Sequence, residues 1–417
     1  MFQDKKNILI VGRGAVVSAL AKKLSKSPEC GKIYAAPGGK IQSEHFESVD
    51  IREDDTTGLL KFALENKIFL TVPVSARALK SDIASFFQEN RQNIFGPVLN
   101  ACKIAVNNVY GKKFLYKIHA KTPKFAVFDK LQQAQDYLKT ANFPLLIRCS
   151  QCTDVQDMRV CPVISQAQRF LNTLFAENET NVLIEEYTYG ASFTVYYITD
   201  GYSAVPITSV RNYKFTQDGN GGILTDGTGC FAPDYNVSGV LLSRVENIVR
   251  NTLAVLAKKG NPYVGILGID CTMTGEDKFY VNEFKPFLRD CDAAAVLNLI
   301  EEDLFEVFRA CVDGIFADDW QTVKTNNLSS VSAVVMSRLA GKPITGLDKI
   351  GDIENIDFIS AQKTDDDIYL TQNGAVFVLT RSAGLLSRAR KYLYEDIGMI
   401  KFDSMKFRKD IICTNIY

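Results

Sequence analysis

The sequence predicts a multidomain protein of mixed α/β and α+β class. An α/β domain spans residues 1–101, an α+β core 102–325 and a small β-rich domain 326–417. Three observations carry this. Through the first hundred residues, apolar β-branched runs alternate with helical patterns, which implies a parallel sheet covered on both faces. From Lys124 to Tyr187 short strands and helices mix, and Ser192–Ile198 and Ala204–Val210 then alternate as antiparallel strands do. After Asp318–Asn327 the pattern shifts to short strands with turns at Gly341, Gly346 and Gly374, covered by one helix at Leu385–Ile397.

In order, Asn7–Val11 (NILIV) is a strand ending at Gly12-Arg13-Gly14, and Ala15–Leu24 is a helix. This is how a nucleotide-type, Rossmann-like unit opens. The dinucleotide fingerprint fails, because its third glycine position is Val17 and the second strand, Lys32–Ala36, ends in Pro37-Gly38-Gly39 instead of an acid. Strands follow at Ser48–Ile51, Ile68–Val72 and Asn93–Phe95, with helices at Thr56–Glu65 and Arg77–Glu89. One long helix, Leu99–His119, leads into the core. There Lys124–Phe128, Pro144–Cys149, Arg159–Ile164 and Asn181–Tyr187 are strands, with helices at Leu131–Leu138 and Ser165–Ala176. Arg211–Tyr235, with five glycines and no clear period, reads as a long functional loop. Helices at Ser238–Lys259 and Ala293–Phe316 flank the stretch that carries the chemistry.

The bulk numbers exclude several classes. Of 417 residues, 46% are hydrophobic and 23% charged, and Lys plus Arg balances Asp plus Glu. Zero net charge argues against a large nucleic-acid footprint. No apolar run reaches membrane-spanning length, and the polar start lacks a signal-peptide layout. The expected location is the cytoplasm. The ten cysteines are scattered and read as reduced core thiols. Cys149 and Cys152 form a CxxC pair, but no second pair or nearby histidine completes a zinc site.

In Tyr263–Asp292, Ile266–Met273 and Lys278–Phe284 are two strands joined by Thr274-Gly275-Glu276-Asp277. Alternation puts Val281, Glu283 and Lys285 on one face, with Asp270 across from them. Two acids on neighbouring strands can hold Mg²⁺ beside substrate phosphates. Lys285 would compete with that ion by placing an ammonium between Glu283 and Asp270.

An α/β domain, an α+β half ending in Ile184-Glu185-Glu186-Tyr187, a glycine-rich stretch and an acid-bearing strand pair resemble an ATP-grasp ligase. Over residues 7–412 the chain resembles the glycinamide ribonucleotide synthetase (phosphoribosylamine–glycine ligase) family. The matching pieces are Gly12 and Gly14, Ala36-Pro37-Gly38, Ile94-Phe95-Gly96-Pro97, Ser192-Phe193, Tyr263-Val264-Gly265, Glu283-Phe284, Gly374 and Arg408-Lys409-Asp410-Ile411. The resemblance implies two α+β lobes that clasp ATP. It also implies purine biosynthesis, in which glycine becomes an acyl phosphate that phosphoribosylamine attacks.

The resemblance assigns roles. Arg148, Lys214 and Arg289 would be catalytic cations, and Arg148, Glu185, Glu186 and Tyr187 would bind the nucleotide. Backbone groups of Glu185, Glu186 and Tyr187 would meet the adenine edge. Glu283 and Asp270 would hold Mg²⁺, unless Lys285 replaces it. Gly12, Gly14 and Gly38 would line the site for the second substrate. Glycine and phosphoribosylamine would be the substrates, with no nucleic acid or membrane, in a monomer or homodimer.

Several motifs depart from the family. The lysine expected before the ATP lobe falls near Asn108, with Lys112 close by. The next falls on Arg148. The phosphate loop falls on Ser150–Met158, without glycine or lysine, and an asparagine metal ligand becomes Lys285. The family arginine falls on Phe287, leaving Arg289 out of place, and a Pro-Glu motif becomes Pro73-Val74-Ser75. Taken singly, Arg148, Arg211, Lys214 and Arg289 read as solvated surface charge. Two functions stay open: an active ligase using ATP and Mg²⁺, with the family's or altered substrates, or a catalytically degenerate binding or regulatory protein that uses neither.

Overall fold

The structure is a computed structural model that describes residues 5–39, 43–150, 158–177 and 181–413. Strands β1 (Lys6–Gly12), β2 (Cys30–Pro37), β3 (Glu47–Ser48) and β4 (Ile68–Pro73) form a parallel sheet in the order β3-β2-β1-β4. Helices α1 (Ala15–Leu24), α2 (Thr56–Glu65), α3 (Ala76–Lys80) and α4 (Ile83–Glu89) accompany it. Alternate β1 residues feed different cores. Ile8 and Ile10 pack with α1, whereas Leu9 and Val11 pack with α2 and α4.

Helices α5 (Leu99–Val106) and α6 (Asn108–Lys117) lead to a four-stranded antiparallel lobe. Its strands are β5 (Phe125–Phe128), β6 (Leu145–Cys149), β7 (Met158–Cys161) and β8 (Val182–Glu186), in the order β5-β8-β6-β7. Helices α7 (Leu131–Leu138) and α8 (Ile164–Ala176) cover one face.

The second lobe is built on an eight-stranded sheet. Strands β9 (Ala191–Gly201), β10 (Ala204–Gln217), β11 (Gly221–Ala232), β12 (Tyr263–Gly275) and β13 (Lys278–Lys285) are joined by β14 (Ser329–Ser337), β15 (Ile356–Phe358) and, beyond the hairpin β16 (Gln362–Lys363) and β17 (Tyr369–Leu370), β18 (Gly374–Ala383). The order is β13-β12-β9-β10-β11-β14-β18-β15. The closing segment therefore extends the large sheet through the β11–β14 pairing.

Helix α9 (Gly239–Lys258) lies on one face. It buries Leu241, Val245, Val249, Leu253 and Leu256 along a single stripe. Each such side chain contributes about 1.5–3 kcal/mol, so a charge at Val249 would remove one such contribution and leave an unpaired charge in the stripe. Helices α10 (Asp290–Leu297), α11 (Leu304–Asp313) and α12 (Phe316–Asp319) follow, and α10 and α11 fill the other face together with α1. Helix α13 (Leu386–Met399) covers β14 and β18. Among the described residues no helix is long and apolar enough to cross a membrane.

Several expected elements divide. Leu99–His119 breaks at Asn107, whose extended backbone ends α5 and whose side chain accepts from Tyr110 N at 2.8 Å to start α6. Arg77–Glu89 breaks at Asp82, with φ 55°. Ala293–Phe316 divides between α10, α11 and α12. Asn93–Phe95 makes only the single bridge Thr71–Ile94. The largest correction is Arg211–Tyr235, expected as a loop but found mostly in the β10–β11 hairpin. Its turn is held from a distance. Gly219 N donates to Asp410 Oδ2 at 2.8 Å, and the Arg408 guanidinium donates to Asn220 Oδ1 at 3.0 Å. Contacts 188 and 191 residues away give no local period to read.

Candidate functional site

A cleft opens between the two lobes, with about 1050 Å³ of empty space between its walls when open solvent is included. Arg148, Glu185, Glu186 and Tyr187 line it from the small lobe, and Lys214, Asp226, Asn282 and Glu283 from the large sheet.

One chain of alternating charges runs along this cleft. Lys112 Nζ meets Glu185 Oε2 at 2.6 Å, and the other Glu185 oxygen meets Arg148 at 2.7 Å. Arg148 reaches across the lobes to Glu283 Oε2 at 2.6 Å, and Lys285 holds Glu283 Oε1 at 2.9 Å. Lys285 also holds Asp226 Oδ1 at 2.7 Å, and Arg289 Nε lies 3.4 Å from that same oxygen. Arg289 then pairs with Asp270 and Asp292, and Lys214 bonds both Asp270 oxygens at 2.8 Å. Among the described residues this network sets five cations against five carboxylates, so each cation already has an acid as partner. Arg148 and Arg289 are buried, Lys214 is mostly buried, and Arg211 is buried against Asp234 at 2.7 Å. The reading of all four as solvated surface charge is overturned.

The β12–β13 register sets Asp270 opposite Glu283, as expected, but strict alternation fails. Cys271 pairs with Val281 and Asp270 with Glu283, so Asn282 is an extra residue in β13. Such a bulge re-aims its neighbours. Val281 enters the core, while Asn282, Glu283 and Lys285 all make polar contacts away from it. Val281 therefore does not share the face of Glu283 and Lys285.

A divalent ion does not fit these acids as they stand. Asp270 accepts from Lys214 on both oxygens, from Asn282 (2.8 Å) on one and from Arg289 on the other, so protein donors fill its lone-pair positions. Glu283 has a cation on each oxygen. Burial works to raise its carboxyl, but Lys285, Arg148 and Lys214 outweigh burial and hold it well below the usual range. An ammonium does occupy this pocket. It lies between Glu283 and Asp226, and not between Glu283 and Asp270 as the sequence suggested.

The hinge amides expected to meet an adenine are already bonded. Glu186 N donates to Lys124 O at 2.9 Å and Tyr187 N to Pro144 O at 3.2 Å. The Glu185 side chain turns beneath the cleft to Arg148 and Lys112.

The glycines of the α/β domain serve close approaches within the protein. Gly14 has φ 92°, and a Cβ there would lie 2.6 Å from Asp290 Oδ1. That carboxylate accepts from Val16 N at 2.8 Å and so caps α1 from the first residue of α10. Burial pushes the Asp290 carboxyl up to about 6, against the opposing effect of this bond. A Cβ on Gly12 would meet Val74 Cγ2 at 2.7 Å, and one on Gly38, with φ 67°, would meet Ser48 Oγ at 2.5 Å. In the altered Pro73-Val74-Ser75 motif, Ser75 Oγ donates to Glu53 at 2.8 Å, and Glu53 also holds Arg13 at 2.8 Å.

The structure thus brings Arg148, Lys214, Arg289, Glu185, Glu283, Asp270 and Lys285 into one network and leaves Gly12 and Gly38 outside it. Gly14 touches it only through Asp290, the neighbour of Arg289. Residues 151–157, which include Cys152 and most of the expected phosphate-loop segment, lie outside the described residues. Eight of the nine described cysteines are buried. Sequence reasoning missed Asp226, Asn282, Asp290 and Asp292. Only Asp290 and Asp292 carried a signal, as acids in the first turn of a helix.

Comparison with known proteins agrees with this architecture. The family models "Phosphoribosylglycinamide synthetase, N domain" and "Phosphoribosylglycinamide synthetase, ATP-grasp (A) domain" match residues 6–105 and 106–295. The phosphoribosylamine–glycine ligase of Clostridium acetobutylicum is 28% identical over 414 residues, covering 97% of this chain and 99% of its own. That of Caldanaerobacter subterraneus is 27% identical with the same coverage. Among solved structures, the Thermotoga maritima phosphoribosylamine–glycine ligase superposes with a TM-score of 0.78 at 20% identity, covering 97% of this chain and all of its own. The biotin carboxylase domain of Hydrogenobacter thermophilus 2-oxoglutarate carboxylase, in complex with MgADP, gives 0.71 at 13% identity, covering 96% and 91%. The chain belongs to the phosphoribosylglycinamide synthetase family and carries its ATP-grasp fold.

Proposed function

We propose that this protein is an ATP-dependent ligase that joins glycine to phosphoribosylamine in purine biosynthesis. The observation that supports it is the interlobe cleft itself, walled by Glu185, Glu186 and Tyr187 and floored by buried cations. In this reading the base lies against the hinge and the phosphates draw Arg148 and Lys285 away from Glu283. The glycine carboxylate attacks the terminal phosphorus and ADP leaves. The amine of phosphoribosylamine then attacks the acyl carbon and phosphate departs. Arg148, Lys214, Lys285 and Arg289 carry the charge that develops on the phosphoryl oxygens. Phosphoribosylamine would enter from the side of Gly12, Gly14 and Gly38. The same reading places the protein in the cytoplasm, as a monomer or homodimer acting on small molecules.

A second reading is favoured by one specific observation: Glu283 carries two protein cations and Asp270 has no open lone pair. The scaffold then serves as a binding or regulatory protein without nucleotide chemistry. Calorimetric titration with ATP, with and without Mg²⁺, separates the two when combined with an ADP-release assay on glycine and phosphoribosylamine. Micromolar binding with substrate-dependent ADP release supports the ligase. Absence of heat under both conditions rejects it and leaves the scaffold.

A further inference from the structure

Asp226 differs from the other four carboxylates of the charge chain. Its side chain is 52% exposed, whereas its partners Lys285 and Arg289 are 18% and 2% exposed. Its position comes from a bulge in the β10–β11 hairpin. Between the pairs Tyr213–Gly229 and Phe215–Leu224, β10 advances two residues and β11 five. The extra length lifts Thr225–Thr228 out of the ladder and toward the cleft. Thr225 Oγ1 donates to Lys214 O at 2.7 Å and accepts from Gly227 N at 3.2 Å, which braces both sides of Asp226.

Arg289 Nε is buried and makes no hydrogen bond among the described residues. Asp226 Oδ1 is 3.4 Å away, close enough for charge attraction but without hydrogen-bond geometry. A buried donor left this way is costly, and it points at the most exposed acid of the charge chain. We propose that Lys285 and Arg289 form a binding site for a small oxyanion, a phosphate group or a carboxylate, which Asp226 fills as a displaceable stand-in when no ligand is present. The proposal rests on reading the cleft as an anion site, but it does not require adenine or turnover. An incoming oxyanion takes the Lys285 ammonium and satisfies Arg289 Nε, and Asp226 swings into solvent. A stand-in present nine-tenths of the time weakens apparent affinity about tenfold.

The test is titration of the full-length chain with inorganic pyrophosphate and, separately, with acetate. Asp226→Ala should bind one of them about tenfold more tightly than the unaltered protein, and the probe that gains identifies the chemical class. Adding Lys285→Met to Asp226→Ala should abolish the gain. Asp226→Asn provides the same comparison with side-chain volume kept, should the alanine variant fold poorly. Equal affinity with and without Asp226, or a gain that survives Lys285→Met, overturns the proposal. Absence of ADP release with a clear Asp226 effect would reject the ligase reading alone.

Discussion

The inner and outer halves of the charge chain use the same residue types and differ in what else touches them. In the inner half, Asp270 and Asp292 are fully buried, and neutral donors share the load with Arg289. Asn282 bonds Asp270 beside Lys214, while Tyr196 (2.7 Å) and Asn212 (2.9 Å) bond Asp292. In the outer half, Glu283 and Asp226 are partly exposed, and the contacts that hold them come from cations. A buried charge with a full set of partners is scaffold, because removing one partner strands another. A charge at the cleft wall held only by opposite charges can trade partners for a ligand. The inner half therefore fixes the sheet to α10, and the outer half is the part able to respond.

The largest effect should come from Arg289→Met, which takes from Asp292 its one cation among the described residues and leaves Asp270 with Lys214 alone. Loss of one partner of a buried ion pair costs about 3–5 kcal/mol, so the urea midpoint should drop sharply at unchanged slope. A small drop would show that the inner half is not scaffold. Arg148→Met stands next. Glu185 keeps Lys112 and Glu283 keeps Lys285, so the cost should be about 1–2 kcal/mol. ATP affinity, where present, should fall at least about tenfold, the equivalent of one charge-assisted contact. Lys285→Met should cost less than about 1 kcal/mol, as partly exposed pairs do, because Asp226 can turn to water. A cost equal to that of Arg289→Met would erase the distinction between the halves.

Much of this is legible in the sequence, for identifiable reasons. The parallel sheet, the small lobe and the β12–β13 pair follow from periodicity that the chain obeys locally. The Asp270–Glu283 pairing was readable because strand register and turn length are local. What escaped was decided at a distance. The bulge at Asn282 rotates Val281 away from Glu283, and no residue type announces it. Asp226 sits in a stretch whose glycines suggested a mobile loop, while its hairpin is pinned by Arg408 and Asp410 from the far end of the chain. Lys112 lies four residues past Asn108, the position where the family resemblance places a lysine. One helical turn brings it to Glu185, so the charge is kept although the position is not.

The smallest effect concerns the junction between the halves and the α/β domain. Asp290 follows Arg289 and caps α1 through Val16 N, so α10 joins the charge chain to the glycine turn. Its carboxyl is raised from 3.8 to about 6, chiefly by burial. Between these values the native state binds a proton that the unfolded chain has released, so stability falls as pH rises through the window and levels off above 6. Partial solvent contact limits the change to the order of 1 kcal/mol. Asp290→Asn keeps an acceptor for Val16 N but cannot titrate. Urea melts between pH 4 and pH 7 should therefore lose that component of the slope, with midpoints near neutrality equal to or above those of the unaltered chain. If the slope persists in Asp290→Asn, the titrating group lies elsewhere. If α1 also loosens in hydrogen exchange, the charge itself, and not only the acceptor, ties the α/β domain to the inner half.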